Sequence, residues 1–357
     1  MLAARGLADS GDAGMDVRTN RRSLMIGSAL AALTGLGVVR APIAAAATGD
    51  DPLPSWNPGP VKDSIIAFVT AVTDPTSPRF VPVAERLAAF DIDGTLWVER
   101  PTYVDLAFAE ARGRARMELD PELAQIEPWK SLAEMDEGMR TSLPEEAVTG
   151  LVVDAFRGES PDTFQFFARE WLNTAMNPAL NRRSLDLSYQ PMQELLSYLR
   201  ANEFDLAVAS AGDIEFLRVY VEQLFGIPKE FTIGTQVDLD VRTVGNSVSL
   251  VRGGEIAMGI WGDNKPIAIR LHTGRRPIFA FGNADGDLPM LRNAMLNGQG
   301  MAYFIDHDDP EREFLDKREG KTSNEGLRDY GITVVSMKDD WATVFSDEPG
   351  PDLFATD

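Results

Sequence analysis

The sequence predicts an α/β fold, a mostly parallel sheet covered by helices on both faces, with a long helical insertion after the first strand. Short apolar runs alternate with helical periods through the second half of the chain. Several of these runs end in polar, glycine-containing clusters, as strands do where a parallel sheet meets its ligand. The stretch 102–190, by contrast, carries few strand signals.

The elements follow in order. Apolar residues at Val61, Ile65, Phe68, Val69 and Val72 predict a helix over 61–72. The run "LAAF", 87–90, predicts the first strand. Helical runs are expected around 103–117, 144–157 and 163–175, then at 191–202, where Met192, Leu195, Leu196 and Leu199 share one face. A short strand at 206–209 precedes "SAG", and a helix at 214–225 ends at Gly226. The segments 232–239 and 247–251 read as a hairpin. A short helix at 265–271 and strands at 277–281, 301–305 and 332–337 complete the pattern.

Composition narrows the function. A formal net charge of -21 repels DNA, RNA and anionic membranes, and no basic aromatic stripe offsets it. With no cysteine, disulfides, thiolate zinc sites and cysteine nucleophiles are excluded. Two histidines leave little room for a His-rich metal centre. His307, opening the acidic "HDDPERE", reads as part of a solvated loop, and His272 as structural or exposed.

The chemistry sits at strand ends. Asp91 and Asp93 follow the first strand directly, where unpaired charge is costly. Asp91 can serve as a carboxylate nucleophile that forms an aspartyl phosphate. Asp93 can protonate the leaving oxygen and then deprotonate water. Adjacent carboxylates need a cation, and Asp91, Asn283 and Asp287 could supply an oxygen cage for Mg²⁺. Ser210 and Lys265 would hold the phosphoryl oxygens. Gly94 and Gly212 would let backbone N–H groups approach the phosphate, with Thr95 and Ala211 in the same two loops. A calcium loop at Asn283–Asp285–Asp287 fails on spacing, and Asp285 reads equally as a ligand or a solvated turn residue.

"DIDGT", "ASAG", "NKP" and "FGNADGD", in that order, resemble the four motifs of the haloacid dehalogenase-like (HAD) superfamily, and most nearly its phosphoserine-phosphatase-like branch. The resemblance implies a Rossmann-like three-layer core, Mg²⁺ dependence, phosphomonoester hydrolysis and a helical cap that closes over the site. It adds the backbone carbonyl of Asp93 to the metal ligands and lets Trp97, Glu99 and Arg100 face the cap, as packing residues before substrate contacts. It also favours phosphate over carbon–halogen chemistry, because the superfamily's dehalogenases carry a bulky aromatic residue where Asp93 stands. One departure is Asn283, where the third loop of the family often has aspartate. A phosphotransferase or mutase using the same aspartates, and a non-catalytic binding protein of this fold, are the rival readings. Arg182 and Arg183 are either surface residues or an attraction for an anionic substrate.

The amino terminus resembles a bacterial twin-arginine signal over 1–47, with Arg21-Arg22, a weakly apolar stretch from Met25 to Val39, and alanines at 44–47. The twin-arginine export machinery is then a partner, and the protein is expected in the periplasm or outside the cell. Arg40 ends the apolar stretch and no cysteine follows it, so no stable membrane anchor is expected. Residues 48–60 read as a linker, 61–101 and 191–346 as the core, 102–190 as the cap, and 347–357 as a tail.

Overall fold

The computed structural model describes residues 51–127, 129–136, 145–318 and 320–355; the expected export signal lies outside them. The main sheet has seven strands. They are β1 (Leu87–Phe90), β4 (Asp205–Asp213), β5 (Thr232–Val244), β6 (Ser247–Met258), β7 (Phe279–Gly282), β8 (Met301–Asp306) and β9 (Thr333–Ser336). Their order is β6-β5-β4-β1-β7-β8-β9. Every pairing is parallel except the β5–β6 hairpin. β1 is therefore central, flanked by β4 and β7, and the switch in strand direction of travel falls beside it. That is where an open parallel sheet leaves a crevice at its carboxyl edge.

Alternation along β1 explains why both faces are covered. Ala88 and Phe90 enter one apolar cluster, with Phe279 and Phe281 of β7, while Leu87 and Ala89 enter the other, with Ala280. A period of two thus sends successive side chains into two cores. Helix α1 (Pro60–Thr73) joins the first cluster through Ile65, Phe68, Val69 and Val72. Helix α6 (Gln190–Ala201) joins it through Met192, Leu195, Leu196 and Leu199, each leucine contributing about 1.5–3 kcal/mol on burial. Helix α7 (Ile214–Phe225) stops where predicted, on Gly226 at φ 64, a left-handed turn that glycine tolerates best.

Between β1 and β4 the chain is mainly helical. The insertion holds α2 (Val104–Leu119), α3 (Trp129–Glu134), α4 (Glu145–Ala155) and α5 (Pro161–Leu172), then a two-stranded ribbon of β2 (Met176–Asn177) and β3 (Arg182–Arg183). Phe108, Phe156 and Phe164 form its aromatic centre, at ring separations of 4.8 to 5.7 Å. Helices α8 (Asn264–Thr273), α9 (Leu288–Ala294), α10 (Asn324–Asp329) and α11 (Met337–Asp340) complete the core.

Three sequence expectations change. Residues 51–59, read as linker, bury Leu53 and Trp56, and Trp56 packs edge-on against Phe281 and Trp341. Residues 347–357, read as a tail, bury Leu353, whose N–H bonds to Asn173 at 2.9 Å. Both strands of the hairpin begin where the sequence implied but run on further, to Val244 and Met258, and the second strand reaches the insertion. There Arg252 exchanges main-chain hydrogen bonds with Gly158 (2.7 Å) and Glu159 (2.8 Å). Its guanidinium forms a two-pronged ion pair with Asp213 and lies 4.1 Å from the centroid of Phe164.

Asp213 and Arg252 are both essentially inaccessible to water. Removing one member leaves the other charged, buried and unpaired. Asp213→Ala should destabilise the fold by about 3–5 kcal/mol, read from urea unfolding.

Candidate active site

The four polar clusters singled out from the sequence meet at the carboxyl edge of the sheet. Asp91 follows β1, and its N–H bonds to the carbonyl of Phe281 on β7 at 3.1 Å. Ser210 lies in the irregular end of β4, where the register with β5 shifts between Ala209 and Asp213. Lys265 sits at the start of α8, and Asn283 and Asp287 lie beyond β7. Asp91, Asp93, Ser210, Ala211, Gly212 and Lys265 all line one cavity of about 30 Å³.

Lys265 ties the site together. Its Nζ donates to Asp91 Oδ1 at 2.7 Å and to Asp287 Oδ1 at 2.5 Å, with the lysine and Asp287 almost wholly buried. Asp287 Oδ2 accepts the N–H groups of Asn283 and Ala284, at 2.9 and 3.0 Å. The sequence places Asp287 among the metal ligands. In the structure both its oxygens already have other partners, so its first task is to shape the loop and hold Lys265. Asp285 is exposed and opens a short 3-10 helix over Asp285–Asp287.

The loop after Asp91 is built for close approach. Gly94 has φ 73, and a Cβ there would stand 2.0 Å from Asn283 Nδ2. Glycine is needed for both reasons. Its N–H donates to Trp97 O (2.9 Å) and that of Gly212 to Ser210 Oγ (3.1 Å). Ser210 keeps its own O–H to donate. Thr95 Oγ1 donates to Asn283 Oδ1 at 2.9 Å, and Trp97 Nε1 to Asp93 Oδ1 at 2.8 Å.

Burial, then the charge of Asp287, push the pKa of Asp91 well above the ordinary range, against the pull of Lys265; Asp93 raises it further. This excess of negative charge is what a hard divalent cation would relieve. Asp91 Oδ2 accepts no hydrogen bond among the described residues. With the Asn283 amide oxygen and the Asp93 main-chain carbonyl that the family resemblance adds, it would give an oxygen-only donor set of the kind such an ion prefers. Among the described residues no three His, Cys, Asp or Glu side chains group to hold a metal.

Residues 88–292 match the family model for haloacid dehalogenase-like hydrolases, more than half of the chain. The chain belongs to the haloacid dehalogenase-like hydrolase family. No curated protein sequence matches it. Similar solved structures include a protein of unknown function from Bordetella pertussis Tohama I, at 18% identity and TM-score 0.46, covering 70% of this chain and 98% of that one. A second, from Anaerococcus prevotii, has 13% identity and TM-score 0.44 over 77% and 91% of the two chains. A probable phosphoserine phosphatase from Vibrio cholerae has 14% identity and TM-score 0.35 over 72% and 62%.

In this HAD-like hydrolase, several site residues escaped the sequence reading. His307 is not in a solvated loop. It is buried, stacks on Phe314 at 4.3 Å, and places Nε2 2.9 Å from the Gly94 carbonyl and Nδ1 2.7 Å from Glu313. Both ring nitrogens face oxygens, so this position beneath the Asp91–Thr95 loop favours the protonated ring. Burial alone would lower its pKa, but Glu313, Glu99 and the Gly94 carbonyl raise it. Glu99 and Asp105 also line the cavity, with Tyr103 and Thr149. Only the long-range packing of α2 and α4 could have revealed Asp105 and Thr149. Arg182 and Arg183 do not reach the cavity: they bond to Asp186 and to the main chain of Ser346 and Gly350. His272, at a helix end, accords with a structural place, its Nδ1 3.0 Å from the Ala268 carbonyl.

Burial raises the Asp105 pKa from 3.8 to about 6, with Asp213 adding to the shift and backbone N–H groups opposing it. The folded value exceeds the unfolded one, so stability is lost as pH rises from about 3.8 to about 6. Asp105→Asn should therefore raise the melting temperature above pH 6 and leave it nearly unchanged below pH 4. His307 also has a raised pKa, so its contribution is full below 6.5 and fades as pH climbs through the folded value. The stability gap between wild type and His307→Gln should narrow accordingly in alkaline unfolding series.

Proposed function

We propose that this protein is an exported, Mg²⁺-dependent phosphatase that hydrolyses small phosphomonoesters through an aspartyl phosphate on Asp91. The observation that carries the reading is the convergence of Asp91, Asp93, Ser210 and Lys265 on one small cavity. Export rests on the twin-arginine pattern at 1–47. Among the described residues no helix is long and apolar enough to cross a membrane.

In this reading the Asp91 carboxylate attacks phosphorus and the ester oxygen leaves. Asp93, oriented by Trp97 Nε1–H, delivers the proton to that oxygen. It then takes a proton from the water that attacks the acyl phosphate, which frees phosphate and restores Asp91. Ser210 O–H and the Lys265 ammonium hold the equatorial oxygens as charge develops. Asp91, the Asp93 carbonyl and Asn283 would hold Mg²⁺, which when bound offsets the repulsion between Asp91 and the phosphoryl oxygens. Asn283 contributes one charge fewer than an aspartate there, which predicts weaker retention of the ion.

Wild-type protein should release phosphate from a generic aryl phosphate. Asp91→Asn should lower kcat by about a thousandfold or more. Chelation should abolish turnover and added Mg²⁺ should restore it. Beryllium fluoride with Mg²⁺ should form a stable adduct on Asp91. Turnover that survives in Asp91→Asn would place the chemistry elsewhere, and transfer to an added alcohol without phosphate release would favour a phosphotransferase.

A further inference from the structure

The cavity is unusual in its balance of charge. Among its described lining residues Lys265 is the sole base, and Lys265 is already bonded to Asp91 and Asp287. Glu99 and Asp105 also face the cavity, beside the hydroxyls of Tyr103 and Thr149. No described arginine, histidine or second lysine lines it.

Glu99 is 9% exposed, and no hydrogen bond from a described residue reaches its carboxylate. His307 lies nearby but offers Glu99 no donor, because its two ring nitrogens are directed at Gly94 and Glu313. A buried carboxylate left without donors is costly, and such costs persist where a ligand supplies the missing partner. Asp105 is 7% exposed. Its Oδ2 and the Oγ of Ser210 lie 3.4 and 3.5 Å from the same point, the position a Cβ on Gly212 would take. A group held by Ser210 therefore has the Asp105 carboxylate within reach of a two-carbon chain.

We infer that the leaving group is a small alcohol bearing a primary ammonium and no carboxylate, with Glu99 and Asp105 as its specificity-determining residues. The inference rests on the phosphatase reading above and names its substrate class. An ammonium brings three donors and a positive charge to a wall that offers two carboxylates and two hydroxyls. A carboxylate on the substrate would meet the same two acids with no base to pair with, and like charges placed together cost several kcal/mol. A trimethylammonium group is less suited, because Tyr103 is the only aromatic ring among the described lining residues and no cage surrounds it.

The test is a matched series of esters of nearly equal size: 2-aminoethyl phosphate, 2-hydroxyethyl phosphate, phosphoglycolate and phosphocholine, each with Mg²⁺ and the full chain. The 2-aminoethyl ester should exceed the hydroxyethyl ester about tenfold or more in kcat/KM, and phosphoglycolate about a hundredfold or more. Phosphocholine should fall below the primary amine. Glu99→Gln and Asp105→Asn should each bring the aminoethyl-to-hydroxyethyl ratio several-fold closer to one, a quantity read within each variant and independent of how much of it folds. Equal or inverted preference in protein that turns over the hydroxyethyl ester overturns the inference and leaves the phosphatase reading standing. So does no turnover of the aminoethyl ester by protein that still binds beryllium fluoride. If no ester is hydrolysed and no beryllium fluoride adduct forms, the phosphatase reading falls and the inference falls with it.

Discussion

A lysine ammonium held between two buried carboxylates is the contact on which the site depends. Lys265 bridges Asp91, at the end of the central strand, and Asp287, in the loop after its neighbour. Each of these charges would be untenable alone at that depth. Because one cation serves two acids, the cluster stays short of positive charge, and Asp91 remains a group whose ionised form needs further compensation. The same shortage that makes the cluster a poor stabiliser is one that a bound cation would relieve, as the proposed function requires. Beneath it Phe90, Phe281 and Tyr303 stack at 6.0 and 4.7 Å, a stiff apolar floor that fixes where the carboxylates stand.

Around that contact the chain spends polar groups on holding loops rather than on solvent. Asp287 accepts two N–H groups of its own loop, Thr95 reaches across to Asn283, and His307 grips the Gly94 carbonyl from the next strand but one. Three loops from separate strands are thereby fixed to one another before any ligand arrives. Preorganisation of this kind lowers the cost of ordering a reacting group.

The insertion is bound to the core at more than one place. Thr149 donates to the Ala211 carbonyl at 3.1 Å, so the same loop that carries Ser210 is touched from above. Arg252 ties β6 to the turn between α4 and α5, and to Asp213 at the start of α7. The insertion and the loop that carries Ser210 are therefore in direct contact.

The amino-acid sequence alone determined the α/β class, the order of the elements, the helical insertion after the first strand and the placing of "DIDGT" at that strand's end. These are local facts: a period of two or 3.6, a glycine that permits a left-handed turn, carboxylates adjoining a four-residue apolar run. Only the tertiary structure decided that His307 is buried and not in a solvated loop, that Asp105 faces the cavity, that Asp287 bonds Lys265, and that Leu53 and Trp56 pack into the core. An acidic or imidazole side chain has the same pattern in sequence whether it ends in water or in the interior. Its fate is set by partners such as Gly94 and His307, more than two hundred residues apart, which meet only once the sheet has formed.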